Sequence, residues 1–309
     1  MKTFLKLIQY KNLLLLAFIQ LLFRYGFLEI QNVPLALSDI NFMLIVFATL
    51  CLAAGGAIIN AIVEFENTSI EIKEKSLIDS HFSIGFAYNA YIALTIVGVG
   101  IGFYLSNYIG KPGFSSLFII IAVLLYLYAS TLKNKLIINN LTIAVLYSIS
   151  ILFVGFFDLL LTYDETNKAI LTVLFKILLD YSFLTFFIVF IREIIKNLEE
   201  EAIDQIKFKN TLPRSFGIKK TKMILVSLSS IPLFSVGYYC YFYFWSSALF
   251  YSCGYALAFI ISPLIYFMVT LVSAKQETEF RYLYNLLNLI LVLSLLSILV
   301  VSLEIYYHV

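Results

Sequence analysis

Long apolar runs separated by short polar breaks dominate this chain. Nine of them, at about 11–30, 42–63, 87–108, 115–132, 141–161, 170–191, 223–243, 246–273 and 282–307, are long enough to cross a bilayer as helices. A hydrocarbon core of about 30 Å requires roughly 20 apolar residues per helical crossing. Ile, Phe and Tyr are frequent in these runs, yet the runs are too long and alternate too little to be barrel strands. The pattern therefore predicts an all-α membrane protein with nine transmembrane helices. The runs consume most of the 309 residues, so residues 1–309 read as a single polytopic domain. Met1 to Tyr10 carries no small-residue cleavage pattern, and the first run is expected to be retained.

Charge gives the runs a direction. Seventeen Lys and Arg residues fall at the N-terminus and in the loops on the same side, against two, Lys111 and Lys168, on the other. By the positive-inside tendency, the N-terminus and long loops face the cytoplasm, and His308 and Val309 lie outside. A multi-pass protein of a bacterial inner (cell) membrane is expected. Composition agrees: 61% hydrophobic and 13% charged residues exclude a soluble globular chain. The basic residues follow topology and anionic lipid headgroups, so membrane lipids are expected partners and nucleic acid is not. Cys51, Cys240 and Cys253 lie in apolar runs without CxxC spacing and read as small buried residues.

The densest polar stretch, Arg192 to Lys222, holds eight of the 21 basic residues together with Glu193, Glu199, Glu200, Glu201 and Asp204. It continues the sixth run, as Asn60 to Glu74 continues the second. At 100° per residue, Asn60, Glu64, Thr68 and Glu71 share a face about 80° wide, and Glu193, Asn197, Glu200 and Asp204 one about 60° wide. Two acidic stripes four helices apart are expected to face each other across a central cavity opening to the cytoplasmic side. Carboxylates on a shared face suit a hard cation such as Mg²⁺ that keeps waters and substrate phosphates as its other ligands. Solvated helix ends leaving the bilayer produce the same stripes, and periodicity alone does not separate the two readings.

At these two places the chain resembles the UbiA family of intramembrane prenyltransferases. The segment Ala53–Ser76, "AAGGAIINAIVEFENTSIEIKEKS", is similar to the family's first acidic motif, NDxxDxxxD followed by Asn-Lys-Pro. The segment Ile191–Lys222 is similar to the second, REIxKDxxDxxGD followed by Thr-Leu-Pro; Arg192, Glu193, Lys196, Asp204 and Thr211-Leu212-Pro213 match. Tyr128 and Lys133 resemble the tyrosine–lysine element after the fourth helix, and the opening "LIQYKNLLLLAFIQLLFRYG" is similar to bacterial members of the geranylgeranylglycerol-phosphate synthase type. The departures are specific. Ala61 and Thr68 stand at aspartate positions, Glu64 replaces a third, and Glu71-Ile72-Lys73 replaces Asn-Lys-Pro. Asn197 and Glu200 replace aspartates and Ile203 a glycine, so six usual carboxylates become Glu64, Glu200 and Asp204.

The resemblance implies transfer of an isoprenyl group from an isoprenyl diphosphate to a hydrophobic or lipid-precursor acceptor, assisted by Mg²⁺. It implies Asn60, Glu64, Glu200 and Asp204 as catalytic residues, with Glu64, Glu200 and Asp204 as metal ligands. Arg24, Lys133, Arg192 and Lys196 are the implied diphosphate-binding cations. Negative charge develops on the departing diphosphate, and cations in a water-excluded site stabilise it. The alternative is a catalytically inactive relative that binds a lipid or isoprenoid, or serves a partner protein. A transporter would need helices broken near mid-membrane, whereas the polar residues here crowd one interface. Arg24, deep in the first run, requires a partner such as diphosphate or a carboxylate. Lys176 and Asp180, four apart, are expected to satisfy each other.

Overall fold

The computed structural model describes residues 2–67, 77–160, 162, 164–165, 167–200 and 211–308. Among the described residues, nine helices are long and apolar enough to span a membrane: α1 (Tyr10–Leu28), α2 (Asp39–Glu66), α3 (Ile84–Tyr108), α4 (Pro112–Ser130), α5 (Ile138–Asp158), α6 (Lys168–Glu199), α7 (Ile218–Phe244), α8 (Phe250–Ser273) and α9 (Glu277–Tyr307). The nine apolar runs and these nine helices correspond one to one.

Local chemistry sets the helix boundaries. Ser38 begins α2 by accepting a hydrogen bond from the Asn41 amide at 3.4 Å, and Ser83 begins α3 by accepting from Phe86 at 3.2 Å; both are N-caps that satisfy otherwise unpaired amides. Gly110 takes φ +70° in the turn from α3, and Pro112 opens α4 where a missing amide proton costs nothing. Of three π-helical turns, Arg24–Leu28 and Cys240–Phe244 end α1 and α7, and Leu257–Ile261 interrupts α8. The last lies just before Pro263, where the α-helical bond to the preceding turn cannot form.

The chain divides into two compact units. The first comprises residues 1–21, 35–133 and 157–162, and the second residues 22–34, 134–156 and 163–309. In the first, α2, α3 and α4 pack closely because small residues line their contacts. A Cβ on Gly98 would stand 2.8 Å from Leu52 Cγ and 3.0 Å from the Ala48 carbonyl oxygen; one on Gly56 would stand 2.7 Å from Leu125 Cδ2. Ile58, Ile59, Ile62 and Phe65 of α2 form a core with Leu7, Ile78, Ala87 and Ala129.

In the second unit, α6 packs on α9 and α7. Tyr181 and Ser297 hydroxyls meet at 2.7 Å, and Ser182 Oγ donates to the Ser148 carbonyl at 3.0 Å. The helix α8 is held at both ends by charged side chains of its neighbours. Buried Glu304 of α9 accepts from the amides of Tyr251 (3.0 Å) and Ser252 (2.7 Å) and from Ser252 Oγ (2.6 Å). Lys222 of α7 donates to the carbonyls of Val272 (2.6 Å) and Ala274 (2.7 Å). A carboxylate at the N-terminus and an ammonium at the C-terminus complement the helix dipole and satisfy groups left open by the helix itself.

Glu304→Ala is expected to destabilise the protein by about 3 kcal/mol, since it leaves the buried Ser252 amide and the part-buried Tyr251 amide without that acceptor. Lys222→Ala, at a more accessible end, should cost less than half of that. Thermal unfolding of both variants in one detergent measures the difference, and equal losses would contradict this account.

Candidate functional site

In the first unit, Asn60 and Glu64 of the expected polar face lie near the end of α2. Lys133 Nζ lies 2.9 Å from Glu64 Oε2, with the two side chains 16% and 34% exposed. Lys133 reaches this position because α4 ends at Ser130 and a single 3-10 turn, Leu132–Asn134, follows. Asn60 precedes Glu64 by one helical turn; its Oδ1 is buried and accepts no hydrogen bond among the described residues. Glu66, whose register points it away from that face, accepts from Tyr88 of α3 at 3.0 Å. Thr68, Glu71, Lys73 and Lys75 lie outside the described residues.

In the second unit, the end of α6 is enclosed. Ile191, Arg192, Glu193, Ile194, Ile195 and Asn197 are all buried. Arg192 is 3% exposed, and its Nη2 and Nε donate to Glu193 Oε1 at 2.7 and 3.1 Å. Its Nη1 donates to Asn288 Oδ1 of α9 at 3.2 Å, and the guanidinium lies 5.1 Å from the centre of the Tyr147 ring of α5. Each face of this cation is therefore engaged from a different helix, which is how a buried charge is tolerated. Asn197 Nδ2 donates to Asn140 Oδ1 at 3.2 Å, and Asn140 is 1% exposed.

Lys196 is half-buried, and Glu200 caps α6 through its amide to the Lys196 carbonyl at 2.9 Å. Glu199 turns the other way and accepts from Arg281 Nε at 2.7 Å. Thr211, Leu212 and Pro213 start a short helix (Leu212–Phe216), with Leu212 and Pro213 buried; Gly217, at φ +80°, turns the chain into α7. Asp204 and Ile203 lie outside the described residues. Arg24 is buried in the π-helical turn of α1, 5.8 Å from the Tyr25 ring centre.

Two outcomes differ from expectation. Lys176 and Asp180 do not satisfy each other directly. Lys176 Nζ donates to the Tyr243 hydroxyl at 3.4 Å, and the Tyr239 hydroxyl donates to Asp180 Oδ2. The stacked rings of Tyr239 and Tyr243, 4.9 Å apart on α7, place two hydroxyls where α6 carries its two charges. The sequence reading also missed Asn140, Tyr147, Asn288 and Arg281, which hold the second motif in place. For Asn288 the available signal was a polar residue inside an apolar run; Asn140 stands just before its run and offered none.

The oxygen donors of Glu64 and Glu200 suit a hard cation, and Glu64 already faces a cationic partner in Lys133. Among the described residues, no three His, Cys, Asp or Glu side chains converge; the third expected ligand, Asp204, is not among them.

Residues 31–292 match the model of the UbiA prenyltransferase family. The digeranylgeranylglyceryl phosphate synthase of Sulfurisphaera tokodaii is 29% identical over 203 residues, 63% of this chain and 67% of the relative. That of Methanosphaera stadtmanae is 28% identical over 190 residues, 60% of this chain; the match spans 63% of the relative's length, less than two thirds. Among solved structures, a digeranylgeranylglyceryl phosphate synthase superposes with a TM-score of 0.67 at 20% identity, covering 98% of both chains. A UbiA homologue from Archaeoglobus fulgidus bound to GPP and Mg²⁺ gives 0.59 at 12% identity, covering 96% of this chain and 99% of that one. The structures share the fold and the family model spans most of the chain: this protein belongs to the UbiA prenyltransferase family.

Proposed function

We propose that this chain transfers an isoprenyl group from an isoprenyl diphosphate to a lipid-precursor acceptor of the glycerophosphate kind. Family membership with the preserved Arg192-Glu193-Lys196 and Thr211-Leu212-Pro213 pattern is the observation that carries this reading. The named activity of the Sulfurisphaera and Methanosphaera relatives supports the acceptor class. In the reaction, the allylic C–O bond to diphosphate breaks, the acceptor oxygen bonds to the same carbon and loses its proton, and inorganic diphosphate leaves. The motif loops and the N-terminus face the cytoplasm of the cell membrane in this reading, on the strength of the Lys and Arg asymmetry.

Lys133 and Lys196 are the proposed cations for the diphosphate, and Glu64, Glu200 and Asp204 the proposed ligands of Mg²⁺, with Asn60 beside Glu64. When bound, the metal would neutralise charge on the leaving group. Arg24 remains a proposed diphosphate contact. Arg192, closed in by Glu193, Asn288 and Tyr147, is proposed as a positioning residue that fixes the end of α6 and, through it, Lys196 and Asn197. One observation favours a second reading, a non-catalytic isoprenoid-binding relative: the only carboxylate kept from the first motif is already matched by Lys133.

Purified protein with geranylgeranyl diphosphate and a panel of glycerophosphate acceptors should release diphosphate in a Mg²⁺-dependent manner. Glu200→Ala and Asp204→Ala should each lower the rate on the order of 10²-fold. No release across C10–C40 donors, with donor binding indifferent to Mg²⁺ and to Asp204→Ala, would establish the second reading instead.

Asn197→Asp should raise Mg²⁺ affinity without disrupting the fold. The Asn140 amide nitrogen has no partner among the described residues and can turn to donate to the new carboxylate. Metal titration followed by calorimetry measures this, and unchanged affinity would remove position 197 from the metal site.

Glu193→Ala should destabilise the chain by about 3–5 kcal/mol, because it leaves the buried guanidinium of Arg192 without its counter-charge. Arg192→Met combined with Glu193→Leu should recover most of that loss in a thermal-unfolding measurement.

A further inference from the structure

A second candidate site lies within the second unit, remote from the motif residues. A cavity of about 900 Å³ is bounded by α6, α7, α8 and α9. Lys176, on its wall, is sixteen residues before Arg192 on the same helix, about 24 Å along its axis. The lining is mainly apolar, including Val173, Ile177, Leu184, Phe234, Val301 and Ile305. The volume is in the range that accommodates a small-molecule ligand.

Two charges interrupt this apolar wall, Lys176 and Asp180, one turn apart on α6. Both lie on a membrane-spanning helix, where an ionisable side chain is costly unless it is engaged, and where such residues mark binding sites. Each touches one tyrosine hydroxyl of α7, Tyr243 and Tyr239, and the Lys176 ammonium is 5.5 Å from the Tyr243 ring centre. Tyrosine hydroxyls are neutral, so neither charge is balanced by them. The cavity thus presents one cation, one anion and two stacked aromatic faces above a hydrophobic slot, with no net charge.

We propose that this cavity binds a membrane phospholipid with a zwitterionic headgroup. The phosphate meets Lys176 and the Tyr243 hydroxyl; the headgroup ammonium meets Asp180 and the tyrosine faces, which attract cations through their quadrupoles. One acyl chain occupies the slot between α6 and α7. Phosphatidylglycerol offers Lys176 the same phosphate but leaves Asp180 without a cation, and a diacylglycerol leaves both charges without a headgroup partner. The surrounding bilayer supplies such a lipid, and nothing in the site depends on the isoprenyl donor.

Delipidated protein should be titrated with phosphatidylethanolamine, phosphatidylglycerol and diacylglycerol, with bound lipid read by native mass spectrometry. Phosphatidylethanolamine should bind about fivefold more tightly than either of the others, the effect expected of roughly one favourable headgroup charge contact. Asp180→Asn should abolish the preference over phosphatidylglycerol, Lys176→Gln should remove most of the preference over diacylglycerol, and Ser235→Phe, which narrows the slot, should weaken all three lipids. Equal binding of the three lipids to the unmodified protein would overturn the proposal, as would a preference that survives both charge substitutions. Displacement of the phospholipid by geranylgeranyl diphosphate would also overturn it, by making the cavity a place for the donor's tail.

Discussion

Hydrocarbon supplies no hydrogen bonds, so every polar group placed between the membrane faces must find its partner within the protein. That constraint explains why several charged side chains of this chain occur in closed sets. The start of α8 is closed by Glu304 and its end by Lys222, each donated by a neighbouring helix. The Arg192 guanidinium is closed by a carboxylate, an amide and an aromatic face from three helices. Inter-helix packing in this protein is therefore fixed by polar contacts as much as by shape, because lipid tails compete on equal terms for apolar contacts.

The same constraint divides the second motif into two kinds of residue. Arg192, Glu193 and Asn197 are buried and spend their hydrogen-bonding capacity on the protein, whereas Lys196 and Glu200 remain half-buried. A rigid α6 terminus holds the second group at a fixed height. In the first motif the division is less sharp. Glu64 is a third exposed and its partner is a lysine from the loop after α4, so the geometry at that end of α2 depends on where α4 stops.

Most of the fold was legible because twenty-residue apolar runs leave one physical option, a spanning helix. The positions of Glu64 and Lys133 were legible through motif register and the tyrosine–lysine element. What the register could not reveal is which motif residues serve the protein and which face open space, since a face computed at 100° per residue carries no information about the helix opposite it. Asn140, Tyr147 and Asn288 come from other helices, and their spacing to Arg192 in the sequence has no period to detect. Lys176 and Asp180 misled for the same reason: their four-residue spacing suggested a local pair, while the tyrosines that take each of them lie about sixty residues away, on α7.

The altered carboxylate count and the observed ion pair belong together. An NDxxDxxxD stripe concentrates three negative charges, which repel one another unless cations are present. Replacing two of them with Ala61 and Thr68 leaves Glu64 as the carboxylate at the motif's aspartate positions, and Lys133 stands 2.9 Å from it. Glu64 at the end of α2 thus has a cationic partner within the protein. In the proposed reaction, a diphosphate arriving beside it meets a lysine that can divide its attraction between the phosphate oxygens and Glu64, where a full aspartate set would repel the phosphate until metal is bound. On the proposed reading, loss of carboxylates in this chain shifts the task of neutralising diphosphate from metal toward side-chain cations, with Lys133 as the residue on which that shift turns.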